Sequence, residues 1–409
     1  MSEHDKTTGF IPRREFLKTG ASLLTAIAVP SVLAENIKIP QSMLIPGEFD
    51  SPYGSPSTFE KDITRVIPPH GNAAFTPIAN QRGIITAPGL HFGAHHSGIP
   101  QINPQQHELY IHGLTERALR FNLNDLERYP LQGGIMFLEC SGNTWSQALS
   151  DKAANKSAQD LYGLVSGSEW LGVPVKLLLE EASIKPEGKW VIAEGSDAGT
   201  HARSIPLEKL MDDAIIALYQ NGERLRPAQG YPMRLFLPGW EGNMNVKWLR
   251  RLEVVDQPAY TKDESRAYTE TLPDGTIEQF SFYMDVKSVI THPSGQQKLQ
   301  ERGFYEISGL AWSGKGKITK VEVSDNGGIT WLNAELHSPI LSKSLTKFSM
   351  PWHWRGKAAK LQSRATDEFG NVQPTHTAWK AQYFAGSYNH YNAIQSWAIS
   401  EKGDVSNVF

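Results

Sequence analysis

Cysteine is almost absent from this chain, since Cys140 is the only one among 409 residues. A single cysteine cannot form a disulfide within the chain, so the fold must be stabilised by a buried hydrophobic core. The composition allows such a core, because 40% of the residues are hydrophobic and 20% are charged, as in an ordinary globular protein. A chain of this length has room for two or three domains.

The charge balance of the chain limits its partners. Lys and Arg total 40 against 43 for Asp and Glu, which gives a formal net charge of -3 at pH 7. Because no block of basic residues stands out, we expect no binding of nucleic acid. No apolar run reaches the ~18 residues that span a bilayer, so we expect no membrane span. The 35 Gly and 25 Pro residues predict many loops and short strands.

The first 34 residues have the pattern of an export signal. Arg13 and Arg14 are followed by an apolar stretch that Pro30 interrupts and that ends in Val-Leu-Ala at residues 32–34. This pattern resembles a twin-arginine signal, although a general secretory signal, a membrane anchor and an amphipathic helix stay open. A twin-arginine signal implies export to the periplasm of an already folded protein, which predicts a non-covalent or metal cofactor inserted in the cytoplasm.

Cys140 follows an apolar run at residues 134–138 and precedes small and turn-forming residues. This pattern predicts that a buried strand ends here and enters a loop, where folds often present ligands and catalytic groups. The residues alone leave four roles open for Cys140: an inert buried thiol, an intermolecular disulfide, a nucleophile and a metal ligand. The sequence has no CxxC or CxxCH pattern, which excludes a Cys-rich zinc or iron–sulfur site and c-type haem attachment.

The segment ECSGN at residues 139–143 resembles the Glu-Cys-small-Gly-Asn segment of the sulfite oxidase family. In that family the cysteine sulfur binds molybdenum beside the dithiolene sulfurs of a pyranopterin. Further segments match the family in the same order along the chain, at residues 91–100, 170–174, 194–197, 204–207, 230–234 and 245–249. The resemblance extends over about residues 80–375 and implies an oxidoreductase with molybdenum and molybdopterin as its cofactor.

The resemblance implies an α+β fold with two main domains. Residues 35–275 would form a sulfite oxidase-like molybdopterin-binding catalytic domain, and residues 276–385 an immunoglobulin-like β-sandwich dimerisation domain. The sandwich is also indicated by short alternating runs such as 317–323, which precedes the turn signal DNGG. The tail at residues 386–409 carries Tyr388, Tyr391 and Trp397, which leave open whether it docks a partner or packs on its own domain.

The family pattern assigns roles to nine residues of this chain. Cys140 would bind the metal, and Tyr268 would lie beside it, hydrogen bonded to the oxo group or the substrate. The other seven would hold the cofactor: Phe92 and His96 at the pterin, Asp197 at the pterin N–H groups, Arg234 and Lys247 at the phosphate, and Asn245 and Val246 through their backbone. Taken singly, the two cations could be ordinary surface charges and the tyrosine a half-buried surface residue.

Two positions depart from the sulfite oxidase pattern. Ala94 stands where that family has an arginine next to the metal, and Gln229 stands where it has a histidine. Because the arginine supplies positive charge for the sulfite dianion, its loss is expected to weaken the binding of a small free anion. Segments 95–98, 229–232, 239–243 and 394–397 look most like the sulfane dehydrogenase branch of the family, which acts in thiosulfate oxidation.

We therefore expect a periplasmic, molybdenum-dependent sulfane dehydrogenase subunit that oxidises sulfane sulfur attached to a carrier protein. The sequence has no haem-attachment motif and no Gly-x-Gly-x-x-Gly after a strand, so its electrons need an external acceptor. The resemblance implies a c-type cytochrome subunit as that acceptor and a homodimer within a hetero-oligomer. The alternatives are a sulfite:cytochrome c oxidoreductase, a sulfoxide reductase of the same fold, and a non-enzymatic exported binding protein.

Overall fold

The computed structural model describes residues 39–47, 49–69, 71–150, 155–383, 387 and 389–409. The predicted export signal at residues 1–34 and Tyr388 lie outside the described residues. The chain divides into two units between Glu60 and Lys61. The described part of the first unit contains two short 3-10 helices, Gln41–Met43 and Thr58–Glu60. Among the described residues, no helix is both long enough and apolar enough to cross a membrane.

The first part of the second unit builds two five-stranded sheets and two short strand pairs. Its strands are β1 Ala73–Ala74, β2 Gly93–Ala94, β3 Leu109–Gly113, β4 Leu119–Phe121, β5 Gln132–Glu139, β6 Val165–Pro174, β7 Trp190–Gly195, β8 Ala202–Pro206, β9 Ile215–Gln220, β10 Glu223–Arg224, β11 Arg234–Phe236, β12 Leu249–Val255, β13 Glu270–Thr271 and β14 Ile277–Glu278. One sheet has the order β10-β9-β6-β5 with β11 also paired to β9, and the other has the order β4-β3-β12-β7-β8. In these two sheets only β3 and β12 pair in parallel.

Short helices connect the strands and cover the sheets. They are α1 Leu123–Leu126, α2 Trp145–Ala148, α3 Ala158–Tyr162, α4 Val175–Ala182, α5 Leu207–Asp212, α6 Lys262–Arg266 and α7 His376–Gln382. Helix α6 begins with a capping box, in which the Thr261 hydroxyl accepts from the Glu264 N–H and the Glu264 carboxylate accepts from the Thr261 N–H. This cap fixes the first turn of α6, which carries Asp263 into the core.

The rest of the unit is a β-sandwich. Its strands are β15 Lys287–His292, β16 Gly303–Trp312, β17 Ile318–Ser324, β18 Leu332–Asn333, β19 Glu335–Leu336, β20 Thr346–Trp354, β21 Ala359–Asp367, β22 Ser396–Ile399 and β23 Val405–Val408. The two sheets have the orders β15-β16-β20-β19 and β18-β17-β21-β22-β23. Buried side chains from both sheets, such as Trp312 and Leu361, form one hydrophobic cluster. The hairpin predicted around DNGG is confirmed, because β17 pairs with β18 antiparallel.

The last two strands lie within the segment that was predicted as a separate tail. Strand β22 pairs antiparallel with β21, and β23 pairs antiparallel with β22. Trp397 is fully buried, and its indole N–H donates to the carbonyl oxygen of Ile290 at 3.0 Å. Tyr391 is buried as well. Of the two alternatives for the tail, its described part therefore packs on its own domain, and the sandwich sheet extends to Val408.

Strand β5 leads from the surface to the junction with the sandwich. Its first residues are exposed, whereas its last three are buried. Phe137 belongs to the same hydrophobic cluster as Trp312, and its N–H donates to the carbonyl oxygen of Lys343 at 3.0 Å. The buried strand end predicted before Cys140 is therefore present, and it lies against the second domain.

Candidate active site

An open cleft lies at the end of β5 and encloses about 690 Å³, including its solvent-filled mouth. Eight of the nine residues that the sequence assigns to the site line it, together with Ala94 and Gln229. The eight are Phe92, His96, Cys140, Asp197, Arg234, Asn245, Lys247 and Tyr268. The fold thus gathers in one cleft side chains that lie far apart in the sequence.

Cys140 is a half-buried residue that lines this cleft. Its N–H donates to the carbonyl oxygen of Leu164 at 3.0 Å, which fixes the backbone just after β5. Gly242 approaches so closely that a Cβ atom there would lie 2.8 Å from the Glu139 carbonyl oxygen and 3.1 Å from the Cys140 Cα. Burial, reinforced by the carboxylates of Glu139 and Glu241, raises the pKa of the thiol to about 11. The protein alone therefore does not activate Cys140 as a nucleophile, whereas a bound metal ion would stabilise its thiolate.

Arg234 is a buried cation in the wall of the cleft. Its Nη1 and Nη2 donate to the carbonyl oxygens of Gln229 and Asn245, at 3.1 and 2.9 Å, and its Nε has no hydrogen-bond partner among the described residues. Burial lowers the pKa of the guanidinium to about 9. A buried cation without a counter-charge is unfavourable, so this arrangement favours an anionic ligand.

Lys247 adds a second cation to the same wall. Its Nζ donates to the carbonyl oxygen of Ala94 and to Nδ1 of His95, both at 2.7 Å. Burial, followed by the charge of Lys247, lowers the pKa of His95 to about 3, so the imidazole is neutral and can accept this hydrogen bond. Burial, followed by repulsion from Arg234, lowers the pKa of Lys247 to about 7. In the described part of the chain, neither cation forms an ion pair with a carboxylate.

Tyr268 contributes its hydroxyl to a hydrogen-bonded cluster at the cleft. The hydroxyl lies 2.9 Å from Nε2 of His96, whose Nδ1 lies 3.5 Å from the Asp263 carboxylate. The other carboxylate oxygen of Asp263 lies 3.0 Å from Nδ1 of His201. Burial alone would raise the pKa of Asp263, but hydrogen bonds from both histidines hold it well below its ordinary value. Because the His96 side chain is 46% exposed, this cluster connects the half-buried phenol of Tyr268 to solvent.

The same two histidines and Asp263 have ligand atoms within 4.8 Å of one another, a spacing that could also suit a metal ion. However, both ring nitrogens of His201 are already engaged, by Asp263 and by the carbonyl oxygen of Asn243 at 2.8 Å. Nε2 of His96 likewise faces Tyr268. The cluster is therefore better suited to holding and passing protons than to coordinating a metal.

Val246 is the one predicted site residue that does not line the cleft. Its side chain is buried in the hydrophobic core, its N–H donates to the Met244 carbonyl, and its carbonyl accepts from the Leu235 N–H. The prediction that Val246 contacts the cofactor through its backbone rests on the resemblance alone.

Asp197 is buried at the cleft, where one carboxylate oxygen accepts from the His201 N–H at 3.1 Å.

The sequence analysis assigned no role to four residues that the fold places in the site: His95, His201, Trp248 and Asp263. The sequence could have indicated His95, because it directly precedes the predicted pterin residue His96. Trp248 follows the predicted phosphate ligand, and its indole N–H donates to the Pro227 carbonyl at 2.9 Å. The remaining two lie in segments without a local pattern that would mark them, so only the fold reveals their contact.

The residues of the cleft fit a molybdenum–molybdopterin cofactor. A phosphate would neutralise Arg234 and Lys247. Asp197 offers a carboxylate to pterin N–H groups, and the thiol of Cys140 offers a soft ligand to the metal. The unpaired Nε of Arg234 shows that a donor is still available on this wall.

Two family models match the chain. One, described as the oxidoreductase molybdopterin binding domain, covers residues 96–262. The other, the Mo-co oxidoreductase dimerisation domain, covers residues 278–396. The chain is also similar to the solved structure of the sulfane dehydrogenase SoxCD from Paracoccus pantotrophus, with 41% identity and a TM-score of 0.86. That match covers 91% of this chain and 100% of the other.

Curated relatives include larger enzymes. The chain is 29% identical to mitochondrial sulfite oxidase of Mus musculus, over 75% of this chain and 60% of the relative. It is 28% identical to the NADH nitrate reductase of Solanum lycopersicum, over 80% of this chain and 40% of the relative. The chain thus spans between two fifths and three fifths of the length of these two proteins.

The fold and the site define a molybdopterin-dependent oxidoreductase with a catalytic domain followed by a dimerisation domain. With a relative of 41% identity covered over its whole length, the chain belongs to the sulfite oxidase family of molybdenum enzymes. The predictions of an enzyme, of the cofactor and of the two-domain α+β fold are confirmed. The alternative of a non-enzymatic binding protein is therefore set aside.

We expect Cys140→Ser to lose most of the oxidoreductase activity while it keeps most of its molybdenum. The dithiolene sulfurs of the pyranopterin would still hold the metal, whereas a hydroxyl does not replace the thiolate as a soft ligand. Inductively coupled plasma mass spectrometry measures the metal, a steady-state assay measures activity, and circular dichroism checks that the variant is folded. A folded variant that keeps the activity of the wild type would contradict the ligand assignment.

We expect the cofactor-free chain to bind sulfate less tightly as pH rises. Lys247, whose pKa is about 7, is charged below that pH and loses its charge above it, whereas His95 is neutral throughout. Between about pH 6 and pH 8.5 the affinity should fall about tenfold. Isothermal titration calorimetry measures it, and sulfate keeps a constant charge over this range.

The control for this experiment is Lys247→Met, which preserves the length of the side chain without its charge. This variant should bind sulfate weakly, through Arg234 alone, with little change between the two pH values. An equal pH dependence in Lys247→Met and in the wild type would contradict the role given to Lys247.

Proposed function

We propose that this chain is the molybdenum-binding subunit of a periplasmic sulfane dehydrogenase. It oxidises sulfane sulfur attached to a carrier protein during thiosulfate oxidation and passes the electrons to a c-type cytochrome. The similarity to the sulfane dehydrogenase SoxCD supports this choice within the family. The observation that carries it is Ala94, which lines the cleft where the sulfite oxidase pattern has an arginine.

Ala94 changes what the cleft can recognise. A methyl group offers no charge to a sulfite dianion, and the carbonyl oxygen of Ala94 is already bound by Lys247. Capture of a small free anion needs a cation at the place where the anion binds. A sulfane on a carrier protein is brought in by contacts between two proteins, so its binding depends less on local charge.

When bound, the cofactor would supply the oxygen-atom transfer and two-electron redox chemistry of the reaction. The protein contributes the fixed thiol of Cys140 and the hydroxyl of Tyr268. Burial raises the pKa of Tyr268 well above its ordinary value, so the phenol stays protonated and acts as a donor. Its hydrogen bond to His96 at 2.9 Å gives the protons released in the oxidation a route to solvent.

The partners follow from the same proposal. The sequence offers no haem-attachment motif, so a separate c-type cytochrome receives the electrons. The sandwich matches a dimerisation domain at residues 278–396, so we infer a homodimer within the larger complex. The sulfur carrier is the substrate-bearing partner.

We expect Ala94→Arg to shift the enzyme from carrier-bound sulfane toward sulfite. The added guanidinium should lower KM for sulfite about tenfold, the effect of one good charge-assisted hydrogen bond. Its bulk should slow turnover of carrier-bound sulfane. Steady-state assays with cytochrome c as acceptor, on sulfite, carrier-bound sulfane and methionine sulfoxide, measure both effects.

The matched control is Ala94→Gln, which adds bulk without charge. It should slow turnover of carrier-bound sulfane as Ala94→Arg does, without improving sulfite. If wild type prefers free sulfite, the sulfite:cytochrome c oxidoreductase becomes the better assignment. Unchanged turnover of both substrates in Ala94→Arg would remove the role proposed for this position.

We expect replacement of both Arg13 and Arg14 by Lys to hold the enzyme in the cytoplasm. The proposed periplasmic location depends on a twin-arginine signal, which is read by a receptor through this pair. Fractionation of cells that express the full chain, followed by immunoblotting, measures the distribution. A double-lysine variant that still accumulates in the periplasm would contradict the twin-arginine assignment.

A further inference from the structure

Glu139 directly precedes the metal-binding Cys140 and is fully buried. Its carboxylate accepts three hydrogen bonds from side chains: from Asn143 Nδ2 at 2.9 Å, from Lys287 Nζ at 2.8 Å and from Trp312 Nε1 at 2.6 Å. The first donor lies in the same loop, but the other two belong to the sandwich. The residue beside the metal ligand is therefore held by the other domain.

The two sandwich donors act as a pair. Lys287 begins β15 and Trp312 ends β16, and they face each other in the antiparallel register of these strands. Both are almost completely buried, at 1% and 0% exposure. Lys287 Nζ also donates to the Thr144 hydroxyl at 3.3 Å. The same ammonium group thus holds the chain on both sides of Cys140, at residue 139 and at residue 144.

The other side of the loop is held in a similar way. The carbonyl oxygen of Ser141 accepts from the His390 N–H at 2.8 Å, and its hydroxyl accepts from Asn243 Nδ2 at 3.1 Å. His390 lies beyond α7, outside the catalytic sheets. The loop that carries the metal ligand is therefore fixed from two directions by the C-terminal part of the chain.

Stability alone does not explain a buried ion pair at this place. Replacing a buried ion pair by apolar side chains is often neutral or stabilising, because both charges lose their hydration on burial. A buried pair does, however, define one geometry, since each donor must meet its acceptor. Groups that surround a metal ligand in this way orient it and tune the metal.

We propose that Lys287 and Trp312 are positioning residues for the metal ligand. By binding Glu139 they set the direction of the Cys140 thiolate in the cleft, so the dimerisation domain determines the metal–sulfur geometry. The inference rests on the molybdenum cofactor of the family and does not depend on which sulfur compound is the substrate.

The test uses the full-length holoenzyme with Trp312→Phe and Lys287→Met. Trp312→Phe keeps a buried aromatic ring, removes the N–H donor and leaves a smaller side chain in the core. In both variants we expect shifted g-values in the Mo(V) electron paramagnetic resonance spectrum and about tenfold faster loss of molybdenum to a chelator. Measuring kcat and KM beside these readouts separates poor metal geometry from poor substrate binding.

The matched control is Lys343→Met. Lys343 belongs to the sandwich and pairs with Asp213 of the catalytic part at 2.6 Å, outside the residues that line the cleft. It should lower the thermal unfolding midpoint without changing the spectrum or the rate of molybdenum loss. This control separates a general weakening of the contact between domains from a specific effect on Cys140.

A second variant covers the case in which Lys287→Met does not fold because Glu139 is left as an unpaired buried charge. Glu139→Gln combined with Lys287→Met removes both charges, and the single amide oxygen can then accept from only one of the two remaining donors, Asn143 or Trp312. The double variant should shift the spectrum as Trp312→Phe does. Unchanged g-values and metal retention in Trp312→Phe and in the double variant, with a lowered unfolding midpoint alone, would overturn the proposal.

Discussion

The buried carboxylate of Glu139 joins the catalytic sheet to the sandwich directly beside Cys140. It ends β5 and accepts from Lys287 and Trp312 of the neighbouring β15–β16 pair. Because a buried carboxylate without partners is strongly unfavourable, the two domains satisfy it in one relative arrangement. Cys140 is the next residue, and Gly242 packs against the backbone of both. The position of Cys140, the proposed metal ligand, thus depends on how the domains pack.

The charged and hydrogen-bonding side chains of the cleft fall into two separate groups. Arg234 and Lys247 form a cationic wall in which each is also bound by carbonyl oxygens, and they repel each other. Such a wall is stable when a ligand supplies negative charge, as the phosphate of molybdopterin does. Tyr268 and His96 form a second group, which contains neither Arg nor Lys. This group is linked to the Asp263 carboxylate. The first group is therefore suited to holding an anionic cofactor, and the second to passing protons.

The parts of the structure that follow from local sequence could be predicted. An apolar run that ends in small residues indicated the end of β5, and the turn signal at residues 325–328 indicated the β17–β18 hairpin. The contact of His201 with Asp263 could not be predicted from the sequence, because it depends on how α6 packs against β8 and not on the spacing of residues along the chain. The tail was equally open, since β22 joins the sandwich by pairing with β21 and by burying Trp397, and neither contact is marked in the local sequence. Contacts between distant segments are set by packing, which a single sequence does not display.

The same separation of charges supports the proposal that the departure at Ala94 changes the kind of substrate. A free dianion entering the cleft gives up its hydration and needs a cation in return. Both cations of the wall are already engaged by carbonyl oxygens and by His95, and the phosphate of a bound cofactor would take up their charge. A sulfane on a carrier would gain its binding energy from contacts between protein surfaces, away from the reacting sulfur. Such a substrate would not need the arginine that the sulfite oxidase pattern has at position 94, so the proposal links the small side chain there to dependence on a docked carrier.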